Sequence, residues 1–173
     1  SMNKEAKNIL IDKKNVKKFN YNKIIKKFSE ASEFKNIWIQ IIDKNGISRY
    51  RSWTSKKNDS MLKSRIDIKE MIKSPKEMSH ISTGKFDLTF KAMHPIYDNK
   101  KFIGIIEVIT HFNSIAENLL NSNINLVMLV DKEYSQRITK PFTKLFVKEH
   151  YIANKNASSK LIKHIESIGV ENI

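Results

Sequence analysis

Cysteine is absent from this 173-residue chain, and glycine (4), proline (3) and tryptophan (2) are scarce. Without a thiol there is no disulfide, no zinc-thiolate site and no cysteine nucleophile, although the compartment stays open because many exported bacterial domains also lack cysteine. Glycine is too sparse for a Gly-rich phosphate loop, and no Gly-x-Ser-x-Gly turn occurs. No apolar run approaches the ~20 residues a membrane helix needs, and no signal peptide stands out. Ser1-Met2 reads as a cloning remnant, so the chain is expected to be a soluble piece, compatible with a membrane-anchored parent. The five histidines show no His-x-x-x-His spacing and read as surface or strand residues. A metal, a cofactor and an enzymatic activity are therefore not expected.

Acidic residues are also few, 18 against 32 Lys and Arg, which leaves a formal net charge of +14. Such a charge invites a nucleic-acid reading, because clustered cations gain affinity by releasing phosphate counterions. The cations are mostly lysines spread in pairs, such as Lys13-Lys14, Lys17-Lys18, Lys26-Lys27 and Lys56-Lys57, among many Asn and Ile. That distribution fits a bias of composition at least as well as a groove, and nucleic acid is set aside as a partner. The positive field still attracts small anions and acidic membrane surfaces.

The stretch Asn36 to Trp53 organises the rest. Ile37, Ile39 and Ile41 alternate with Trp38, Gln40 and Ile42 in a strand covered on both faces, and Asp43-Lys44-Asn45-Gly46 turns it. Strict alternation in the next strand would put Ile47, Arg49, Arg51 and Trp53 on one side and Ser48, Tyr50 and Ser52 on the other. Two guanidiniums beside an indole make the wall of an anion site, or else a solvated sheet face on which Trp53 shields arginine stems.

Before it, Lys4 to Leu10 predicts a short helix. Tyr21, Ile24, Ile25, Phe28, Ala31 and Phe34 at three- and four-residue spacing predict an amphipathic helix capped by Asn20. Downstream, Thr54 to Ser60 reads as a loop and Arg65 to Ile72 as a short helix stopped at Ser74-Pro75. Met78 to Ser82 is a strand. Phe86, Leu88, Phe90 and Ala92 alternate with Asp87, Thr89 and Lys91 in a half-buried strand that His94-Pro95 ends or bends. Asp98 to Lys101 turns into a strand over Phe102 to Thr110, and Asn113 to Leu120 is a helix. In the last third, Ile124 to Asp131 and His150 to Ala153 read as strands, Thr139 to Phe142 as the start of a turn or short helix, and Ser158 to Ile168 as an amphipathic helix. The sum is an α+β fold: a PAS-like antiparallel five-strand sheet with a long N-terminal helix and a small C-terminal α/β lobe. The expected parts are a lead-in helix over 1–20, a sensor-like domain over 21–120, and a small or truncated second lobe over 121–173.

The order of local patterns resembles the extracytoplasmic Cache, or PDC, sensor domains of bacterial transmembrane receptors, in particular the double-Cache type of histidine kinases, chemoreceptors and diguanylate cyclases. The resemblance rests on the turn Asp43-Lys44-Asn45-Gly46, on Arg51 in the following strand, on Arg65 opening the helix that crosses the sheet, and on Pro95-Ile96, Gly104-Ile105-Ile106-Glu107 and Phe112. It covers Tyr21 to Leu120. Arg51-Ser52-Trp53 is followed by Thr54 and lies earlier than the Arg-x-Trp-Tyr of amino-acid-sensing members, so their specificity does not carry over. Lys91 stands at a position resembling an arginine of related sequences, which keeps the charge and loses the fork. The resemblance implies a ligand-sensing module outside the cytoplasmic membrane, with its parent receptor anchored in the inner membrane; a homodimer through the N-terminal helix is a separate expectation.

Arg49, Arg51, Trp53, Arg65, Asp67, His80, Lys91 and Glu107 are the candidate ligand-binding residues, a set suited to a small carboxylate held by cations and covered by Trp53. Arg51 and Trp53 are expected to matter most, with Arg65 supporting them. Arg65 and Asp67 read equally well as a surface pair at the helix entry, and Glu107 on an apolar strand face reads as answering an arginine. The competing function classes are a basic nucleic-acid-binding protein and a protein-interaction module.

Overall fold

A computed structural model describes residues 2–12 and 20–173; Ser1 and the lysine pairs Lys13-Lys14 and Lys17-Lys18 lie outside the described residues. In chain order the elements are α1 (Met2–Ile11), α2 (Tyr21–Ala31), β1 (Trp38–Asp43), β2 (Ser48–Arg51), α3 (Ile66–Lys73), β3 (Met78–Thr83), β4 (Leu88–Asp98) and β5 (Lys101–His111). The chain continues through α4 (Asn113–Asn121), β6 (Leu129–Val130), α5 (Lys132–Ser135), β7 (Phe146–Val147), β8 (His150–Ile152), α6 (Ser159–Ile168) and a closing 3-10 turn, Val170–Asn172. The five-stranded sheet has the order β2-β1-β5-β4-β3, and β6-β8-β7 form a small second sheet. This is the α+β architecture that the element order predicts.

The chain divides into two compact units, one of Ser1–Ser32, Ile37–His80 and Lys91–Ile109, the other of Glu33–Asn36, Ile81–Phe90 and Thr110–Ile173. In the first, β1 lies between β2 and β5 and pairs antiparallel with both. Its two faces are both covered, as the Ile-rich run requires. On one side Ile39, Ile41 and Ile106 pack with Ala6 and Ile9 of α1 and Ile24 of α2. On the other, Ile42, Ile105 and Met93 pack with Ile68 and Met71 of α3. Asn20 caps α2 by accepting from Lys23 N at 3.0 Å.

Turn chemistry sets the registers. Asp43 Oδ1 accepts from Asn45 N and Ile47 N while Gly46 takes φ 73°, a conformation for which glycine is suited. Asn99 and Lys100 both sit at positive φ in the β4–β5 hairpin, the mirror-image turn that matches strand twist. Gly104 faces Asp43 across the β1–β5 ladder, and a Cβ there would run into the Ile42 carbonyl and lie 2.8 Å from Leu10 Cδ1.

Four local expectations are corrected. The β1–β2 register pairs Ile41 with Tyr50 but Ile42 with Ser48, so Arg49 is an extra, bulged residue. Ser48, not Arg49, therefore shares the face of Arg51. The strand β4 does not end at His94-Pro95 but runs on to Asp98. Its hairpin partner β3 has 6 residues against 11 in β4, so Pro95 falls where a missing N–H breaks no β3 pairing. Along β4 the polar set is the buried one: Asp87, Thr89 and Lys91 are covered while Ala92 is exposed. Finally, only Leu129–Val130 of the segment Ile124 to Asp131 is strand. There the buried Asn154 side chain accepts from Met128 N and donates to Leu126 O, taking up backbone groups that a ladder would use.

The second unit holds a core of Val130, Ile138, Tyr151 and Ala153 with Leu88 and Met128 against it. Asp87, fully buried, accepts from Tyr151 OH and Leu88 N at 2.9 Å each and lies 2.9 Å from His111 Nδ1. Burial pushes the Tyr151 phenol up to about 12, so it remains the donor across the neutral range.

Gly104→Ala is expected to destabilise the protein by about 1–3 kcal/mol, because the overpacked atom is a backbone carbonyl that cannot move without parting β1 from β5. Urea denaturation measures the loss.

Candidate ligand site

Alternation along the strands of the five-stranded sheet, together with the start of α3, brings a row of charged and polar groups onto one sheet face. Gln40 of β1 is flanked in register by Glu107 of β5 and Arg51 of β2, so the three side chains project to the same side. Lys91 lies two residues before Met93 on β4, and Met93 packs under α3, which puts Lys91 on that side too. His80 arrives from β3, and Arg65 and Asp67 from the entry of α3.

Glu107 is wholly buried, and Arg65 pairs with it through Nη2 to Oε1. The same guanidinium donates to Asp67 from Nε at 2.9 Å and Nη2 at 2.7 Å. Asp67 Oδ2 also lies 3.0 Å from His80 Nε2. The Gln40 amide completes the row when its nitrogen faces Glu107 Oε2 at 3.0 Å and its oxygen accepts from Arg51 Nε at 3.2 Å and Ser48 Oγ at 2.9 Å. At the far end Arg51 forms a fork on Asp59, Nη1 to Oδ1 at 2.6 Å and Nη2 to Oδ2 at 3.0 Å, and adds a bond to Lys56 O at 3.0 Å.

The energetics follow from burial. Burial alone would lower the Arg65 pKa, but Glu107 and Asp67 outweigh it, so the guanidinium is held firmly charged. Burial works to raise the Asp67 carboxyl, yet the bonds and charge of Arg65, with Lys91 and His80, hold it below the usual carboxylate range. The hydrogen bond from Arg51 likewise lowers Asp59. Lys91 differs. Burial, then the charge of Arg65, pushes its pKa down against the pull of Glu107 and Asp67. Only 7% of its surface is exposed, and it has no hydrogen-bond or ion-pair partner among the described residues.

Arg65, Asp67, His80, Lys91 and Glu107 are thus one cluster, which Gln40 links to Arg51. Arg65 is not a surface pair with Asp67, because its guanidinium turns inward to Glu107. Trp53 stacks on Trp38 with ring centroids 4.9 Å apart and lies at the Arg51 end. Arg49 stands apart: bulged out of register, it bonds Asp43 Oδ2 through Nε at 2.8 Å and Asn58 Oδ1 through Nη1 at 2.9 Å. The expected set omits Gln40 and Asp59. Gln40 was signalled by a lone amide in an otherwise apolar strand. Asp59 had no local signal, because its partner depends on how the 54–61 loop folds back. Among the described residues no three His, Asp or Glu side chains converge as a metal site, and no helix is long and apolar enough to cross a membrane.

No family model matches this chain, and no curated protein matches its sequence. Solved structures do match. The sensor domain of the V. cholerae histidine kinase DctB aligns with a TM-score of 0.51 at 13% identity, over 68% of this chain and 46% of that one. The ligand-binding domain of the Campylobacter jejuni chemoreceptor Tlp3, in complex with L-norvaline, aligns with a TM-score of 0.50 at 19% identity, over 78% of this chain and 56% of that one. The chain spans about half the length of these two structures. At such identities the likeness is one of fold: the chain has the Cache/PAS-like fold of bacterial receptor sensor domains.

Two outcomes are expected. Arg65→Met should destabilise the protein by about 3–5 kcal/mol by stranding a buried carboxylate, and Arg65→Met with Glu107→Leu should recover much of the loss in chemical denaturation. Asp67 is depressed in the folded state, so its stabilisation is complete above the unfolded value of about 3.9 and is lost as pH falls through the lower folded value. Asp67→Asn should therefore lower stability at neutral pH and flatten its fall below about pH 4, read from urea midpoints at several pH values.

Proposed function

We propose that this chain is the extracytoplasmic ligand-sensing module of a bacterial transmembrane receptor, of the double-Cache type, and that it binds a small anion on the α3-side face of its sheet. The reading is non-catalytic: binding is the activity, and the kinase, chemotaxis or cyclase output belongs to another part of the parent receptor. What supports it is the joining of a sensor-domain fold with a largely buried row of charged and polar side chains under α3, a placement where a ligand's charge acts at reduced dielectric.

In this reading Lys91, His80, Arg65, Asp67 and Glu107 form the polar end of the site. Arg51 and Trp53 close its other end. Arg51 acts there by fastening the 54–61 loop through Asp59, and the Trp38–Trp53 stack excludes water beside it. Arg49 is the weakest of the proposed contacts, since its guanidinium is already held by Asp43 and Asn58. The parent receptor is membrane-anchored in the inner membrane, and its homodimer forms along the N-terminal helices, where α2 buries Ile24 and turns Lys23, Lys26 and Lys27 outward.

The test is a thermal-shift survey of small organic acids on the wild-type chain, Arg51→Lys, Arg51→Ala and Lys57→Ala. Lysine at 51 keeps the charge and loses the two-pronged grip on Asp59, so both Arg51 variants should lose most of the acid-induced rise in Tm while Lys57→Ala keeps it. Equal shifts in all four proteins would make this face ordinary solvated sheet.

A further inference from the structure

Among the described α-helices, α6 is the one that buries no residue. Its apolar side chains nevertheless line up, since Leu161, Ile162, Ile165 and Ile168 recur at the spacing of one helix face. The first three are half-buried where α6 lies against β7, and Ile168 is exposed. Such a stripe ordinarily closes onto a core, as Ile24 does for α2 and Ile68 and Met71 do for α3. On α6 it is left incompletely covered.

The margin of the small sheet beside it is open as well. Residues 142–147 run along β8: Thr143 Oγ1 donates to Ile152 O at 2.6 Å, Thr143 N donates to Tyr151 OH at 3.2 Å, and Phe146 pairs with Tyr151. Phe142 and Phe146 stay exposed there, alternating in sequence with the exposed Lys144 and Lys148. Lys155 Nζ lies 4.0 Å from the centre of the Phe142 ring. From Arg137 to Ile165 the chain carries seven Lys and Arg, all exposed, against a single acid, Glu149.

From this combination we infer that α6 and the 142–148 segment form a docking face for the surface of an anionic phospholipid bilayer, with the apolar side chains entering the headgroup boundary and the lysines reaching the phosphates. Charge selects that occupant. A second copy would set one lysine-rich face against another, and juxtaposed like charges oppose association. A protein partner is a poor fit too, because protein interfaces gather apolar groups at their centre and are depleted in Lys, whereas here Lys and apolar groups interleave. A bilayer surface suits the interleaving, since a lysine stem lies along apolar surface while its ammonium stays at the polar level. None of the residues under α3 takes part, so the ligand reading stands or falls separately.

Flotation of the whole chain with vesicles of phosphatidylcholine alone, or of phosphatidylcholine mixed with phosphatidylglycerol, is the experiment. Binding is expected to the mixed vesicles only, and to be lost at high salt. Lys148→Gln, Lys160→Gln and Lys163→Gln together should weaken partitioning on the order of a hundredfold, about fivefold per lysine. Ile168→Ser should weaken it about tenfold. Circular-dichroism melts should match wild type in both variants, because all four side chains are exposed. A control that removes the same charge from the first unit, Lys57→Gln, Lys63→Gln and Lys76→Gln, should bind like wild type. Equal loss in that control would make the attraction one of net charge and overturn the docking face, and undiminished binding by Ile168→Ser would overturn the part given to α6. Self-association of the wild-type chain in sedimentation, abolished by Ile168→Ser, would make the face a contact between copies and overturn the lipid assignment. Binding to soluble polyglutamate as tight as to the mixed vesicles would overturn it in favour of an acidic protein, and no flotation with either vesicle would overturn it outright.

Discussion

The pairing of Arg65 with Glu107 is the contact on which the architecture of the first unit turns. Glu107 sits in the middle of β5 with no exposed side-chain surface, a position that an isolated carboxylate could not hold in ionised form. The arginine that answers it comes from the residue preceding α3, so the helix is pinned across the sheet at its entry. Arg65 occupies the cap position without a side-chain cap bond, since its guanidinium is turned inward. Asp67 in the first turn then serves twice, as a favourable charge near the helix N-terminus and as the second acceptor for Arg65. Gln40 carries the same constraint to β2, because its amide must satisfy Glu107 on one side and Arg51 on the other.

The second unit solves a related problem with different groups. Asp87 is as buried as Glu107, but its acceptors are filled by a phenol, a backbone amide and an imidazole. Tyr151 fits this role because burial raises its pKa and keeps the hydroxyl proton in place. The Ser135 hydroxyl bonds the Val130 carbonyl and accepts from Tyr151 N, so α5 and β8 are joined without an apolar contact at that point. Each unit therefore buries a carboxylate at 0% side-chain exposure, Glu107 in the first and Asp87 in the second, and surrounds it with partners, which specifies the partner strands more narrowly than hydrophobic packing does.

Much of this was legible from residue order. The Ile-rich run, the Asp43–Gly46 turn, the helix stopped by Pro75 and the capped α2 each carry a local physical cause, and local causes survive into the fold. What was hidden depends on distance along the chain. The bulge at Arg49 reverses the expected facing of Ser48 and Arg49, because alternation holds only while the register does. The buried polar face of β4 ran against the usual assignment of Phe86, Leu88, Phe90 and Ala92 to the interior. Lys91 could be marked as a candidate from its type, but its isolation was invisible, since that follows from Arg65, Asp67 and Glu107 satisfying one another. Asp59 was hidden because its pairing with Arg51 depends on how the 54–61 loop folds back, whereas Gln40 was marked by its amide in an apolar strand.

The outer side of β2 is the end of the five-stranded sheet, and the 58–61 segment lies along it. Ser48 N donates to Asp59 O, Asn58 N to Ser48 O and Met61 N to Gly46 O, at 2.7–3.0 Å. These bonds occupy backbone groups that would otherwise template a strand from another molecule. The residue whose carbonyl helps to cover the edge is Asp59, and its carboxylate seats Arg51. Disturbing that seat loosens the cover as well, so the price of altering this end of the site includes exposure of a sticky sheet margin and a tendency to self-associate.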